Sequence, residues 1–214
     1  MLFDSLTNEE IVDSESALEF MKEATKLASS ADLEDLSERV SQKSDCFKGY
    51  LSPSSVDDLD EGNFDRIVSL IFSIGRKSKR LIDANGFENL RSMIRELLHG
   101  VDPVENRFNF FVNQVEGIEE KMRINFAGEL LHYSMPDRYW LWTNWIWDPD
   151  NNTGALPLVV QEEVDLLGET EGETYLRVGE AMSYVNQVGN ERGYSRVGHG
   201  KFGIDVFLAC VYAV

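Results

Sequence analysis

The sequence predicts a mainly α protein, a multi-helix globular domain with at most a minor strand near residues 156–166. Three observations predict it. Apolar residues recur at helical spacing along most of the chain, strand-like alternation is scarce, and glycines stand where the stripes end. Hydrophobic residues fill 43% of the 214 positions, enough to bury a sizeable core and too many for a disordered chain.

The N-terminal helical segment covers residues 1–43. "SESALEFMKEATKLASS" carries Leu18, Met21, Thr25 and Ala28 along one stripe, and Ser16 and Glu19 have the spacing of a capping box. "DLEDLSERVSQK" continues behind an expected Asp32 cap. The Gly, Pro, Ser and Asp residues of "CFKGYLSPSSVDDLDEGN" then predict a loop or linker over residues 44–62.

The main helical domain is expected over residues 63–214. "FDRIVSLIFSIGRKSKRLIDANG" sets Ile67, Leu70, Ile71, Ile74 and Leu81 on one side of a single helix that stops at Gly86. "FENLRSMIRELLHG" ends at Gly100, and "DPVENRFNFFVNQVEG" opens with Pro103 just inside an Asp102 cap. "IEEKMRINFAGELLHYSM" stops before Pro136, where a proline disfavours helix in the preceding residue. All four tryptophans follow, within residues 139–147. "LPLVVQEEVDLLG" fits a strand or a helix equally. "ETYLRVGEAMSYVNQVGNERG" aligns Tyr175, Val178, Met182 and Val185 on one stripe. The nearly all-apolar "IDVFLACVYAV" must be covered by the core or belong to a longer helix.

Charge bounds the partners. Lys and Arg number 20 against 38 Asp and Glu, a net charge of −18. Such a field repels duplex DNA and suits a basic protein partner. The acidic N-terminus lacks a secretory pattern and no apolar run spans a membrane, so a cytoplasmic protein with no membrane association is expected. Cys46 and Cys210 form neither a disulfide framework nor a metal pattern.

Several constellations bear on chemistry. Glu96 with His99, and Glu129 with His132, sit three apart on predicted helices, so each pair shares a face. Two such pairs plus two more glutamates build the di-metal site of ferritin-like bundles, with Glu19, Glu23, Glu116 and Glu180 available as further ligands. Only one short helix separates the pairs, and the leucines of each "ELLH" direct the apolar face elsewhere. Solvated carboxylates and capping histidines are therefore the expectation, with no metal and no cofactor.

Trp140, Trp142, Trp145 and Trp147 offer aromatic faces for a flat ligand. Their apolar neighbours Tyr139, Leu141 and Ile146 favour core, with one or two rings left to line a pocket. Arg192, Arg196, His199 and Lys201 in the glycine-rich loop, and Arg76, Lys77, Lys79 and Arg80, are the cationic spots where an anion could sit. Asp148, Asp150 and Asn152 alternate as in a calcium loop, but Val159 stands where the closing glutamate belongs, which leaves an Asx-rich turn. No nucleophile motif is present.

"FAGELLHYSMPDRYWLW", the Tyr175–Val188 helix and "GIDVFLACV" together resemble a helical module of restriction, phage-defence and mobile-element proteins. The resemblance covers the C-terminal part of the chain. That module is similar in fold to the helix-hairpin-helix DNA glycosylases, whose catalytic aspartate precedes a final helix. The resemblance implies Asp205 as its counterpart and a defence-associated role. The glycine-rich DNA-gripping hairpin of those enzymes is absent from this sequence. The function expected from the sequence is a non-enzymatic binding or accessory module that engages a protein partner through an acidic surface. The alternatives are an enzyme, glycosylase-like through Asp205 or di-metal through the two Glu–His pairs, and a small-ligand binder using the tryptophans.

Overall fold

The computed structural model describes residues 8–193 and 201–214. Helix makes up 67% of the structure, and the described residues contain no strand or sheet, in agreement with the mainly α reading. Two isolated antiparallel bridges, Val12 with Val160 and Asp148 with Thr153, are the extended pairings among them. The helices are α1 (Asn8–Ile11), α2 (Ser14–Leu27), α3 (Ser30–Leu51), α4 (Glu61–Ser69), α5 (Ser78–Asn85), α6 (Phe87–His99), α7 (Val104–Gln114), α8 (Glu120–Ser134), α9 (Glu171–Arg192) and α10 (Gly203–Ala213). Short 3-10 turns lie at Val56–Asp58 and Leu156–Leu158. None of the described helices is long and apolar enough to cross a membrane.

The chain divides into two compact units. The first comprises Met1–Ser41, Asn144–Leu167 and Leu176–Val214. Here α2 packs on α10, and Ala24, Leu33, Val206 and Cys210 form a small cluster. The small residues Ala17 and Ala24 are the buried positions of α2, whereas Thr25, expected on its apolar stripe, is exposed. Ala24, which clusters with Val206 and Cys210 of α10, is small enough to let the two helix backbones approach closely. The apolar "IDVFLACV" is buried on nearly all sides as α10. The N-terminal strap is pinned to the 159–161 segment by Asp13 N–H to the Val159 carbonyl at 3.0 Å and Gln161 N–H to the Ile11 carbonyl at 2.9 Å.

The second unit comprises Gln42–Thr143 and Gly168–Tyr175. In it α6 packs against α5, α7 and α8, and α7 packs on α8. Helix α8 is buried without a break from Phe126 to Ser134, the mark of a central helix. Phe126 meets Phe111 edge-on at 5.4 Å and tilts toward Phe64 at 6.5 Å. Gly128 lets the tryptophan segment lie directly on α8, because a Cβ there would overlap the Trp142 carbonyl.

Local differences from the sequence reading have physical causes. Helix α3 runs to Leu51, into the stretch read as a loop from residue 44. Its buried positions Leu33, Ser37, Ser44, Phe47 and Leu51 keep the helical period, and serines at two of them hide the stripe. The single helix expected from residue 63 is two, α4 and α5, because residues 70–77 turn with Leu70 N–H on the Ile67 carbonyl and Lys77 N–H on the Ile74 carbonyl. Ile71 and Ile74 are buried by that turn rather than by a helix face. The cap of α2 is Asp13, not Ser16, and Ser29 and Asp32 cap α3 reciprocally, with Asp32 in the glutamate's role. Pro103, rather than Asp102, stands at the N-cap of α7. Gly86 and Gly100 close α5 and α6 as read, Gly86 with φ of 74°.

Candidate functional site

Polar side chains buried in the second unit form a connected network. The Lys43 ammonium is paired with the Glu129 carboxylate and lies 4.1 Å from the centre of the Tyr133 ring. Burial pushes the Glu129 carboxyl above its ordinary range, and Lys43 opposes the shift. Beside Lys43, Ser44 Oγ donates to the Tyr133 carbonyl at 2.8 Å. One turn beyond Glu129, His132 Nδ1 is 2.8 Å from the Tyr139 carbonyl. A carbonyl only accepts, so Nδ1 carries the proton. The Tyr139 hydroxyl in turn accepts from Arg107 Nη2 at 3.0 Å, and Arg107 also donates to the carbonyls of Asp102 and Leu97.

The tryptophan segment is fixed by the same helices. Trp142 is buried and stacks on Phe108 at 5.7 Å, and Phe108 stacks on Tyr175 at 4.5 Å. The Tyr175 hydroxyl donates to the Trp140 carbonyl at 3.0 Å, and burial drives its pKa well above the ordinary range. Sequence reasoning missed Lys43 and Arg107, and read Tyr139 and Tyr175 as core without their hydroxyl partners. The one available signal was their type: a buried Arg or Lys demands a partner.

The other residues singled out from the sequence are placed as follows. His99 Nε2 donates to the Leu51 carbonyl at 2.8 Å, and Glu96 is half-buried one turn before it. Among the described residues no group of three or more His, Cys, Asp or Glu is placed to hold a metal. Trp145 is half-buried in the first unit and meets Tyr212 edge-on at 6.1 Å. Trp147 is buried, with Nε1 donating to Asn152 Oδ1 at 3.0 Å. Asp148 accepts from Asp150 N–H at 3.2 Å and from Asn151 Nδ2 at 2.9 Å, which closes an Asx turn. Asp205 is buried in the first turn of α10. Arg192 ends α9 on an exposed turn and Lys201 is exposed, while Arg196 and His199 lie outside the described residues.

Open concave surface in the first unit gathers around residues 157–167. Two clefts of about 690 and 560 Å³ share Pro157, Leu158, Val160, Gln161, Glu162 and Glu163. The larger is also lined by Trp147 and Asp165, the smaller by Asp13, Ser16 and Phe20. Hydrogen bonds from the Ser16 side chain above all hold the Asp13 carboxyl below its ordinary pKa, so it is ionised at neutral pH. Glu162 and Glu163 are exposed. Leu158, which lines both clefts with these acids, is 45% exposed, and Leu167 at the end of the segment is 56% exposed. Asp165 accepts from Leu167 N–H at 3.0 Å and from Arg177 Nη1 at 3.4 Å, which stiffens the segment. Neither described lining includes a histidine or cysteine. The arrangement offers fixed negative charge and apolar contact.

Comparison with protein-family models, curated proteins and solved structures found no match.

Proposed function

We propose that the protein is a non-enzymatic binding module that engages a cationic protein partner through the face formed by residues 157–167. The observation that carries this reading is exposed Leu158 set among Asp13, Glu162 and Glu163 in the lining of open clefts. Interfaces draw affinity from a few apolar anchors that exclude water, while surrounding charge steers the encounter and selects the partner. A chain carrying −18 extends that steering over its whole surface.

The second unit supports the same reading. Its Glu129, His132, His99 and Arg107 are each engaged by another group of the fold, so they serve to position helices. The test is affinity capture with wild-type and Glu162→Lys/Glu163→Lys baits, with cross-linking to locate the contact. The expected result is a cationic partner cross-linked within residues 157–167 and lost from the charge-reversed bait, whose melting temperature is unchanged. A partner retained equally by both baits overturns the reading.

A further inference from the structure

In the second unit, the turn between α4 and α5 presents Phe72 with its side chain fully in solvent, 101% exposed. The turn is firmly held. Ile71 and Ile74 on either side are fully buried, and Ile71 N–H and Ile74 N–H bond the carbonyls of Val68 and Ile71 at 3.0 and 3.1 Å. Phe72 therefore points outward because its two neighbours are anchored inward. Leu70 is 41% exposed beside it. A shallow cleft of about 520 Å³ is lined by Phe72, Ile74, Arg76 and Lys77. Four cations, Arg76, Lys77, Lys79 and Arg80, follow within nine residues of Phe72 in a chain with nearly twice as many acids as bases. Lys79 is paired with Asp83 at 2.8 Å, while among the described residues Arg76, Lys77 and Arg80 form no ion pair.

A phenyl ring held in water beside clustered cations complements a surface that is both acidic and apolar. The chain itself carries such a surface at residues 157–167. We infer that the Phe72 turn of one copy docks on the acidic face of a second copy, which makes this protein its own cationic partner. This inference rests on the binding reading above and names the occupant of that face. Phe72 would reach exposed Leu158 in the cleft lining, burying about 150–250 Å² for a phenylalanine. Arg76, Lys77 and Arg80 would face Glu162 and Glu163. Because the two surfaces differ, the contact is heterologous: it closes into a ring or grows into a chain according to the rotation between copies. The contact sets attraction between these opposite local charges against the mutual repulsion of two copies carrying −18 each, and salt screens both as the Debye length falls from about 30 Å at 0.01 M to about 3 Å at 1 M.

The test is sedimentation velocity on the full chain from about 5 to 200 µM at low and high salt, a range that detects micromolar affinity. The wild type is expected to associate within this range, and the turn and face variants test which surfaces meet. Phe72→Ser and Arg76→Glu/Lys77→Glu/Arg80→Glu are each expected to weaken association about tenfold or more, as loss of a central anchor does. Their thermal stability should match the wild type, because the substituted side chains lie largely in solvent. Glu162→Lys/Glu163→Lys should also sediment as a monomer, and mixing it with the charge-reversed turn variant should restore association. A wild type monomeric over the whole range, variants that associate unchanged, or a mixture that stays monomeric overturns the inference. Monomeric wild type that co-sediments with phosphatidylserine vesicles overturns it in favour of a lipid surface. The binding reading is judged apart from this. It fails only if Glu162→Lys/Glu163→Lys baits capture their cationic partner undiminished, whatever the sedimentation shows.

Discussion

Lys43 on α3 and Glu129 on α8 are separated by 86 positions in sequence and joined by an ion pair whose side chains are 19% and 10% exposed. Removing one partner strands the other charge in the interior. Lys43→Met alone is expected to cost about 3–5 kcal/mol, whereas Lys43→Met/Glu129→Leu should recover most of that loss. Urea unfolding of the two singles and the double gives the coupling. A double mutant whose loss equals the sum of the two single losses would show that the pair is not coupled.

The same pair fixes a pH dependence. Burial raises the folded Glu129 pKa above its ordinary value of 4.5, so the native state keeps this proton longer than the unfolded chain. The stability from that difference is fully present below the unfolded pKa and lost as pH rises through the folded one. Glu129→Gln should remove this component. The check is the difference between wild-type and mutant unfolding free energies from pH 4 upward, which should change across that window and then level off.

Gly128→Ala sets two effects against each other. Alanine in a helix interior gains about 1 kcal/mol over glycine. At this position the new methyl overlaps the Trp142 backbone carbonyl, and overpacking of a core costs about 1–3 kcal/mol or more. Backbone yields less readily than a side chain, so a net loss is expected. A variant more stable than the wild type in thermal unfolding would mean that the tryptophan segment does not rest on α8.

The tryptophans should separate by burial. Trp142→Ala removes a buried ring stacked on Phe108 and should cost about 3–5 kcal/mol. Trp145 is half-buried with one edge contact to Tyr212, so Trp145→Ala should cost clearly less. Equal losses in chemical denaturation would contradict this placement.

Much of the fold was legible because helix ends carry local chemistry. Gly86, Gly100 and Pro136 mark boundaries whatever the rest of the chain does. The extension of α3 was not legible, since Ser37 and Ser44 occupy buried positions that a hydrophobic stripe leaves blank, and Ser44 is satisfied by the Tyr133 carbonyl. The break between α4 and α5 was hidden for the opposite reason. Ile71 and Ile74 keep helical spacing although a turn buries them. At the level of the site, Glu129 and His132 could be read as neighbours because three residues on a helix make them so. Their partners Lys43 and the Tyr139 carbonyl depend on tertiary packing. The clefts at residues 157–167 were invisible for the same reason, as one wall comes from Asp13 and Phe20 on the N-terminal strap and α2.

The α2 cap gives an acid-limb prediction. Asp13 accepts from Ser16 N–H at 3.1 Å and from Ser16 Oγ at 2.6 Å, which lowers its pKa below the ordinary 3.8. Its contribution is present above the unfolded pKa and lost as pH falls through the folded one. Asp13→Ala should cost about 0.5–2 kcal/mol at pH 7, the range for a lost N-cap, and should flatten the acid limb below about pH 4. An unchanged limb in a pH series of thermal melts would count against the cap.

Random duplex DNA is not expected to bind at physiological salt. Non-specific affinity comes from phosphate contacts, and each contact adds about 0.9 to the slope of log K against log salt. The densest described cationic run is Arg76 to Arg80, and Lys79 within it is already paired with Asp83. Three contacts would give a slope of only about −2.7, against 6–10 contacts in a typical strong binder. They would also have to work inside the field of 38 carboxylates. Repulsion at that net charge is screened over about 8 Å at physiological ionic strength, which weakens it without removing it. Anisotropy titrations of labelled duplex across a salt series provide the check. Micromolar binding with a slope steeper than about −3, abolished by Arg76→Glu/Arg80→Glu, would show that the cations form a phosphate-binding face. The Phe72 turn would then belong to a nucleic-acid surface, and Asp205→Asn would become the next variant to assay for base excision.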